Sequence, residues 1–206
     1  MTKDRPLAYP ALPAGYDLYE TLDMAKDRQV FLRINICAIA AVVAMVFCGT
    51  IRVPLSKAFS MDIGRVLMCV SAMCIGLVVY VFLHEWVHGV FIRMFTGEKA
   101  EFGFVPQAGM AYAKSSWLFG KFAYIVIALA PVVIWGAVLA VLIKDMPEEY
   151  FWYIYALQMF NVSGAAGDLY VTWLISRMPE GVVVLDSGTS MKFFAPVNLS
   201  RENDKN

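Results

Sequence analysis

The chain is dominated by long apolar stretches, and the one that most constrains its fold covers residues 66–95. Residues 66–83 contain no Asp, Glu, Lys or Arg, and the whole stretch exceeds the roughly 20 residues that a helix needs to cross a bilayer. Ionisable side chains at membrane depth are costly, so the ones that follow this run indicate function. The sequence therefore predicts a membrane-spanning helix that carries functional groups near its end.

Both histidines of the chain lie in this stretch, in the pentad His84-Glu85-Trp86-Val87-His88. A helix brings positions i and i+4 onto one face, so the two imidazoles are placed to share one cation, and Glu85 is placed to reach a water bound to it. Chance copies of an H-E-x-x-H string lie mostly on the surfaces of soluble helices. This copy follows a charge-free apolar run, which favours a metal site.

The composition is typical of an integral membrane protein, since 60% of the 206 residues are hydrophobic and 17% are charged. The net charge is zero, so no strongly basic surface is expected and a nucleic-acid partner is not predicted. The four cysteines fall in apolar stretches without a C-x-x-C pair, which is typical of buried thiols.

Hydropathy predicts an α-helical integral membrane protein with four transmembrane helices, over residues 31–51, 66–95, 118–143 and 150–176. Between the second and third spans, aromatic residues alternate around Pro106 to Gly109, which predicts a short hairpin-like insertion. An exposed hairpin edge is one means of capturing an extended peptide, and a re-entrant or surface loop is the alternative.

The flanking segments are expected to be polar. Residues 1–30 are interpreted as an extended lead-in followed by a short surface helix over 17–28, and residues 177–206 as a tail with a short strand at 182–185. Thirteen of the 17 Lys and Arg lie in the first, third and fifth non-spanning segments, so the positive-inside bias predicts that both termini are cytoplasmic. We therefore expect a multi-pass protein of the cell membrane, without a cleavable signal peptide.

The fourth predicted span contains one charged residue, Asp168. In the four-span topology, Asp168 precedes Arg177 by nine residues just as His84 precedes Arg93, so the two groups are expected at matched depth. Nine helical residues measure roughly 13 Å, which lies within the cytoplasmic half of a hydrocarbon layer about 30 Å thick.

A catalytic zinc commonly has three protein ligands, so Asp168 would complete a set begun by His84 and His88. The alternatives are that Asp168 is hydrated or paired with a basic side chain, and that Asp186 is the third ligand instead. Asn161 shares a helical face with Asp168. Three roles remain open for it: holding a substrate carbonyl, orienting an imidazole, or bonding between helices.

Several segments resemble, in this order, the site-2 protease group of intramembrane zinc metalloproteases, and above all its small bacterial relatives classed as "putative zincin peptidases", formerly a domain of unknown function. They are His84-Glu85-Trp86-Val87-His88-Gly89, Phe102-Gly103-Phe104, Ala130-Pro131 and residues 161–168. The resemblance covers roughly residues 60–190. It departs from the group at Gly164 and Leu169, where site-2 proteases generally have Pro and Gly.

The resemblance implies a zinc enzyme that cleaves membrane-embedded or membrane-proximal peptide bonds, with His84, His88 and Asp168 as ligands and Glu85 as the catalytic base. The predicted function is thus a zinc-dependent intramembrane metalloprotease acting on a membrane protein or peptide. Two rival hypotheses are a catalytically inactive zinc-binding membrane protein and a small ion transporter that uses the same side chains. No oligomeric state is predicted.

Overall fold

The computed structural model describes residues 6–24, 26–106 and 109–198. Its helices are α1 (Arg28–Arg52), α2 (Ile63–Thr96), α3 (Lys121–Asp145), α4 (Glu148–Gly164) and α5 (Ala166–Arg177), with a 3-10 helix at Leu55–Phe59. Its strands are β1 (Ala8–Tyr9), β2 (Tyr16–Asp23), β3 (Glu101–Val105), β4 (Met110–Lys114), β5 (Leu118–Gly120), β6 (Val183–Asp186) and β7 (Ser190–Pro196).

Three of these helices, α1, α2 and α3, are long and apolar enough to cross a membrane. The three long apolar helices predicted over residues 31–51, 66–95 and 118–143 are therefore confirmed, although 118–120 belong to β5 and not to α3. Large apolar side chains along α1 and α2 are exposed, as at Phe47 and Phe82 with 66% and 73% exposure. Such uncovered apolar faces suit lipid better than water.

The fourth predicted span, residues 150–176, is wrong as a single helix. Helix α4 ends at Gly164, α5 begins at Ala166, and the intervening Ala165 is fully buried with ψ near 10°. Gly164 and Gly167 lower the helix propensity here, and this local signal outweighs the apolar character of the whole stretch. The two helices contain 17 and 12 residues, each fewer than the roughly 20 that span a bilayer.

The flanking segments and β5, which lies between α2 and α3, form a sheet with strand order β1-β5-β6-β7-β2, in which all neighbours are antiparallel. The surface helix predicted over 17–28 is wrong, because residues Tyr16–Asp23 form β2 and pair with β7. The short strand predicted at 182–185 is confirmed as β6. The pairing of β2 joins opposite ends of the chain, so no local pattern in the first segment reveals it.

The chain divides into two compact units. The first comprises residues 1–32, 85–130 and 168–206, and it contains both sheets. Its core is built from apolar side chains of β5, β6, β7 and α5 with at most 1% exposure, namely Phe119, Ile175, Val184, Met191 and Phe193.

The second unit comprises residues 33–84 and 131–167. Its buried cluster of Val53, Ala58, Ile143, Phe151 and Trp152 joins α4 to the 3-10 helix and its flanks. Trp152 Nε1 donates to the Val53 carbonyl at 3.1 Å, which satisfies the polar end of a buried ring.

The hairpin predicted between the second and third spans is confirmed, since β3 and β4 pair antiparallel from Glu101↔Lys114 to Val105↔Met110. Residues 107–108 of its predicted turn lie outside the described residues. The hairpin lies against α2 at Gly89, where an added Cβ would be 2.5 Å from Cζ of Phe102. The absence of a side chain at residue 89 thus brings β3 next to the helix that carries the histidines.

Candidate metal centre

The pentad lies towards the end of α2, and local helix geometry sets its spacing. The ligand atoms of His84, Glu85 and His88 all lie within 4.8 Å of one another. Both histidines are buried with 8% exposure, and Glu85 is half-buried. Nitrogen and oxygen ligands at about 2.0 to 2.1 Å from a tetrahedral zinc lie roughly 3.3 Å apart, so a small movement of these side chains fits one ion.

His88 is oriented by a backbone group of the same unit. Its Nδ1 lies 2.9 Å from the carbonyl oxygen of Ile127, which can only accept a hydrogen bond. Nδ1 therefore carries the proton, and the lone pair of the neutral ring is on Nε2. That nitrogen lies 3.7 Å from Oδ1 of Asp168.

Asp168 lies in the first turn of α5, where the dipole of the helix favours a negative charge. Its position follows from the break after Gly164, because an unbroken helix would have placed the carboxylate in a helix interior. The Asp168 side chain is 27% exposed, and its approach to His88 Nε2 is close to a ligand-to-ligand distance. The structure thus brings two of the sequence-predicted ligands, His88 and Asp168, together within one unit.

His84 is oriented by side chains of the second unit. Its Nδ1 lies 2.9 Å from the hydroxyl of Tyr80, which donates to Oδ1 of Asn161 at 2.6 Å. Asn161 has no exposed surface, and its Nδ2 donates to the carbonyl of Val132 at 3.1 Å. Both ends of the Asn161 amide are thus bonded inside the protein, and one of them reaches an imidazole through a single hydroxyl.

Asp186, the alternative third ligand, has both carboxylate oxygens engaged. Oδ2 accepts a hydrogen bond from the hydroxyl of Tyr124, and Oδ1 accepts one from the backbone N–H of Gly188 at 2.7 Å. Burial raises the pKa of Asp186 above its ordinary value, an effect that these two bonds oppose. These two donors fix the orientation of the Asp186 carboxylate.

Sequence reasoning missed three groups of this region. Tyr80 precedes His84 by four residues, so its helical spacing was a usable signal. The Ile127 carbonyl and the Tyr124 hydroxyl left no such signal, because their partners His88 and Asp186 lie 39 and 62 residues away in sequence. The donor set of two imidazoles and nearby carboxylates fits zinc, and the second nitrogen of each imidazole is already oriented as metal-binding histidines require.

Residues 77–183, just over half of the chain, match the model of a family described as "Putative zincin peptidase". The chain is also 32% identical over 149 residues to an uncharacterized 24.7 kDa protein in the gap 5′ region of Pyrococcus woesei. That match covers 69% of this chain and 61% of the archaeal protein, so the chain spans about three fifths of its relative's length. No solved structure matches the chain.

Proposed function

Because this chain belongs to the "Putative zincin peptidase" family, we propose that it is a zinc metallopeptidase that hydrolyses peptide bonds within or close to a membrane. The observation that carries the proposal is the cluster of His84, Glu85 and His88, with both histidines buried, on a helix long and apolar enough to cross a bilayer. A carboxylate and two imidazoles in such a helix cost free energy, which indicates a function.

In this proposal, His84, His88 and Asp168 hold the zinc. The orientation of His88 by the Ile127 carbonyl supports its part, because it leaves the lone pair on the nitrogen nearer Asp168. Asp168 is favoured over Asp186 as the third ligand, because its Oδ1 lies 3.7 Å from His88 Nε2, which carries the lone pair, whereas two donors hold the Asp186 carboxylate in place. A bound zinc would polarise the scissile carbonyl and lower the pKa of a water molecule towards neutrality.

Glu85 is the proposed base. It lies one residue from His84 and three from His88, with its carboxylate within 4.8 Å of both imidazole ligand atoms. It accepts a proton from the attacking water and then donates that proton to the leaving amine, which separates the two products. His84, His88 and Asp168 are committed to the metal in this scheme and are not proposed to transfer protons.

The hairpin is the proposed route for the peptide. β3 and β4 form a sheet of two strands, so each has an edge that the other does not cover. An extended peptide adds to such an edge through main-chain hydrogen bonds. Phe102 of β3 packs closely against Gly89, the residue that follows His88 in α2. This packing supports the proposal that the hairpin delivers the peptide to the metal centre.

As in the site-2 proteases that the sequence resembles, we propose that cleavage takes place in or at a membrane. Three apolar helices support membrane association, and exposed apolar side chains such as Phe47, Ile75 and Phe82 are suited to lipid. We propose an integral protein of the cell membrane with cytoplasmic termini, whose metal centre faces the cytoplasmic side. The α4–α5 pair would form the remaining membrane-embedded segment.

The test is cleavage of a pool of quenched apolar peptides by purified protein in detergent micelles, with zinc content measured on the same samples. Glu85→Gln is expected to keep its zinc and to lower cleavage roughly a hundredfold to ten-thousandfold. Glu98→Gln, which removes an exposed carboxylate just beyond α2, is the matched control and should leave the rate unchanged. Equal rates for wild type and Glu85→Gln would refute the role of Glu85, and zinc without any cleavage would favour a catalytically inactive zinc protein.

A further inference from the structure

The hydroxyl of Tyr80 bonds to His84 and Asn161 at once, and we propose that Tyr80 is a positioning residue that sets the tautomer of His84 for metal binding. The expected effect on zinc binding rests on the proposed function, whereas the hydrogen bonds themselves do not depend on it. In it, Asn161 acts through Tyr80 and does not touch substrate. The three residues form one directional chain of hydrogen bonds that begins at a backbone carbonyl.

The direction of the chain follows from counting protons. The Val132 carbonyl can only accept, so the group of Asn161 that faces it at 3.1 Å is the amide nitrogen. The amide oxygen of Asn161 therefore faces Tyr80, 2.6 Å away, and the single hydroxyl proton of Tyr80 is donated to it.

The proton between Tyr80 and His84 must then come from the imidazole. The hydroxyl oxygen lies 2.9 Å from His84 Nδ1, and its own proton is already directed at Asn161. Nδ1 of His84 therefore carries a hydrogen, and the lone pair of the neutral ring is on Nε2. A hydroxyl alone would accept either tautomer, so Asn161 supplies the selection.

Packing holds this chain in place. Tyr80 is 6% exposed and Asn161 is fully buried. The Tyr80 ring contacts the ring of Phe160 edge to face at 5.7 Å between centroids. The amide faces α3 at Gly136, where an added Cβ would lie 3.3 Å from Asn161 Nδ2. A polar chain this enclosed retains one arrangement, because any other would leave buried groups unsatisfied.

Losing the Tyr80 hydroxyl should therefore weaken zinc binding without removing a ligand. In Tyr80→Phe, the Nδ1 hydrogen of His84 loses its acceptor, and the opposite tautomer, which places the hydrogen on Nε2, gains population. Loss of a partner behind a metal-binding histidine typically costs tenfold to a hundredfold in metal affinity.

The experiment measures the zinc dissociation constant of the full chain in detergent by competition with a chelator, for wild type, Tyr80→Phe and Tyr155→Phe. Tyr155 is the matched control, because its hydroxyl donates to the Met45 carbonyl at 2.9 Å in the same unit and contacts no imidazole. Tyr80→Phe should bind zinc 10- to 100-fold more weakly, and Tyr155→Phe within about twofold of wild type. Equal affinities for the two variants would overturn the inference.

A second readout does not need zinc. The chain contains two histidines, so the ring nitrogens of labelled, zinc-free protein give few signals, which single His variants assign. Wild type should show His84 with its hydrogen on Nδ1, and Tyr80→Phe should show an increased Nε2–H population. An Nε2–H tautomer in wild type would overturn the inference even if zinc binds, whereas wild type that binds no zinc would refute the proposed function and leave this readout valid.

Asn161→Ala provides an independent check of the order of the chain. If Asn161 acts only through Tyr80, the double variant Tyr80→Phe/Asn161→Ala should bind zinc no more than about twofold more weakly than the weaker single variant. Losses that multiply would show that Asn161 acts on the metal centre by another route, and would overturn this part of the inference.

Discussion

The two imidazoles of the pentad lie one helical turn apart and are held by different kinds of partner. Nδ1 of His88 faces a backbone carbonyl, that of Ile127, whereas Nδ1 of His84 faces the hydroxyl of Tyr80. A carbonyl imposes one tautomer by itself, because it only accepts. A hydroxyl imposes a tautomer only when a third group, here Asn161, takes its proton.

The Glu85 carboxylate lies within 4.8 Å of both imidazoles. His88 Nε2 also has the Asp168 carboxylate 3.7 Å away, whereas the hydroxyl and the amide that orient His84 are neutral. Side-chain substitutions leave a backbone carbonyl in place, so the orientation of His88 should survive most of them. The orientation of His84 depends on two side chains that a substitution can remove.

The largest loss of zinc affinity is expected when either imidazole is removed, and the two histidines should then behave alike. His84→Ala and His88→Ala should each lower zinc affinity on the order of a hundredfold to a thousandfold, because each removes one of three ligands, and four ligands together contribute about 10 to 16 kcal/mol in zinc-finger peptides. Titration with a chelating dye measures this. Retention of full affinity by either variant would remove that imidazole from the site.

A smaller effect, on the rate of peptide cleavage, is expected from a substitution at Gly89, the residue after His88. Gly89→Ala places a methyl group 2.5 Å from the end of the Phe102 ring, so the ring and β3 must move away from α2. Peptide cleavage should fall about tenfold, because displacing β3 misplaces the bound peptide. Zinc affinity should be unchanged, because no ligand is moved.

Gly76→Ala is the matched control for that experiment. It lies in the same helix, and its added Cβ would lie 3.4 Å from the nearest atom, which is ordinary contact with Leu157. Its cleavage rate should stay at the wild-type level. A Phe102→Leu change on the Gly89→Ala background should recover part of the lost rate, and no recovery would mean that the contact with Phe102 is not the cause.

A further feature of the first unit is a second carboxylate, that of Asp186. Because burial raises the pKa of the folded Asp186 carboxyl above its ordinary value of 3.8, the folded state holds this proton more tightly than the unfolded state. The contribution of Asp186 to stability is therefore greatest below pH 3.8 and falls as the pH rises towards the folded pKa. Asp186→Asn should remove this decline from the thermal unfolding of zinc-free protein, and an unchanged pH profile would contradict the assignment.

The smallest effect is expected at residue 127. Ile127→Val keeps the carbonyl that orients His88, so zinc affinity should stay within about twofold of wild type, although loss of a buried methylene costs about 1 kcal/mol of stability. Titrating Ile127→Val beside Tyr80→Phe tests the contrast between a backbone and a side-chain partner. A tenfold loss in Ile127→Val would erase that contrast.

The sequence predicted those features that depend on local pattern. Continuous apolar character identified the three long helices, and the spacing of His84 and His88 identified the pentad on α2. Alternation around a turn likewise identified the β3–β4 hairpin. Each of these signals lies within a few tens of residues and needs no knowledge of distant partners.

The remaining features depend on contacts between distant parts of the chain or on weak local signals. The charged residues of β2 suggested a surface helix, and only pairing with β7 makes the segment a strand. The break after Gly164 was hidden by apolar character on both sides, although it sets the position of Asp168 in α5. The roles proposed for the site residues remain predictions of sequence and geometry together.

The most direct test of the account is the zinc content per chain of purified wild type and of Asp168→Ala, measured after dialysis against a weak chelator. The account predicts one zinc per wild-type chain and substantial loss in Asp168→Ala, because two imidazoles alone form an incomplete site. Wild type without zinc, or Asp168→Ala that retains one zinc per chain, would contradict it.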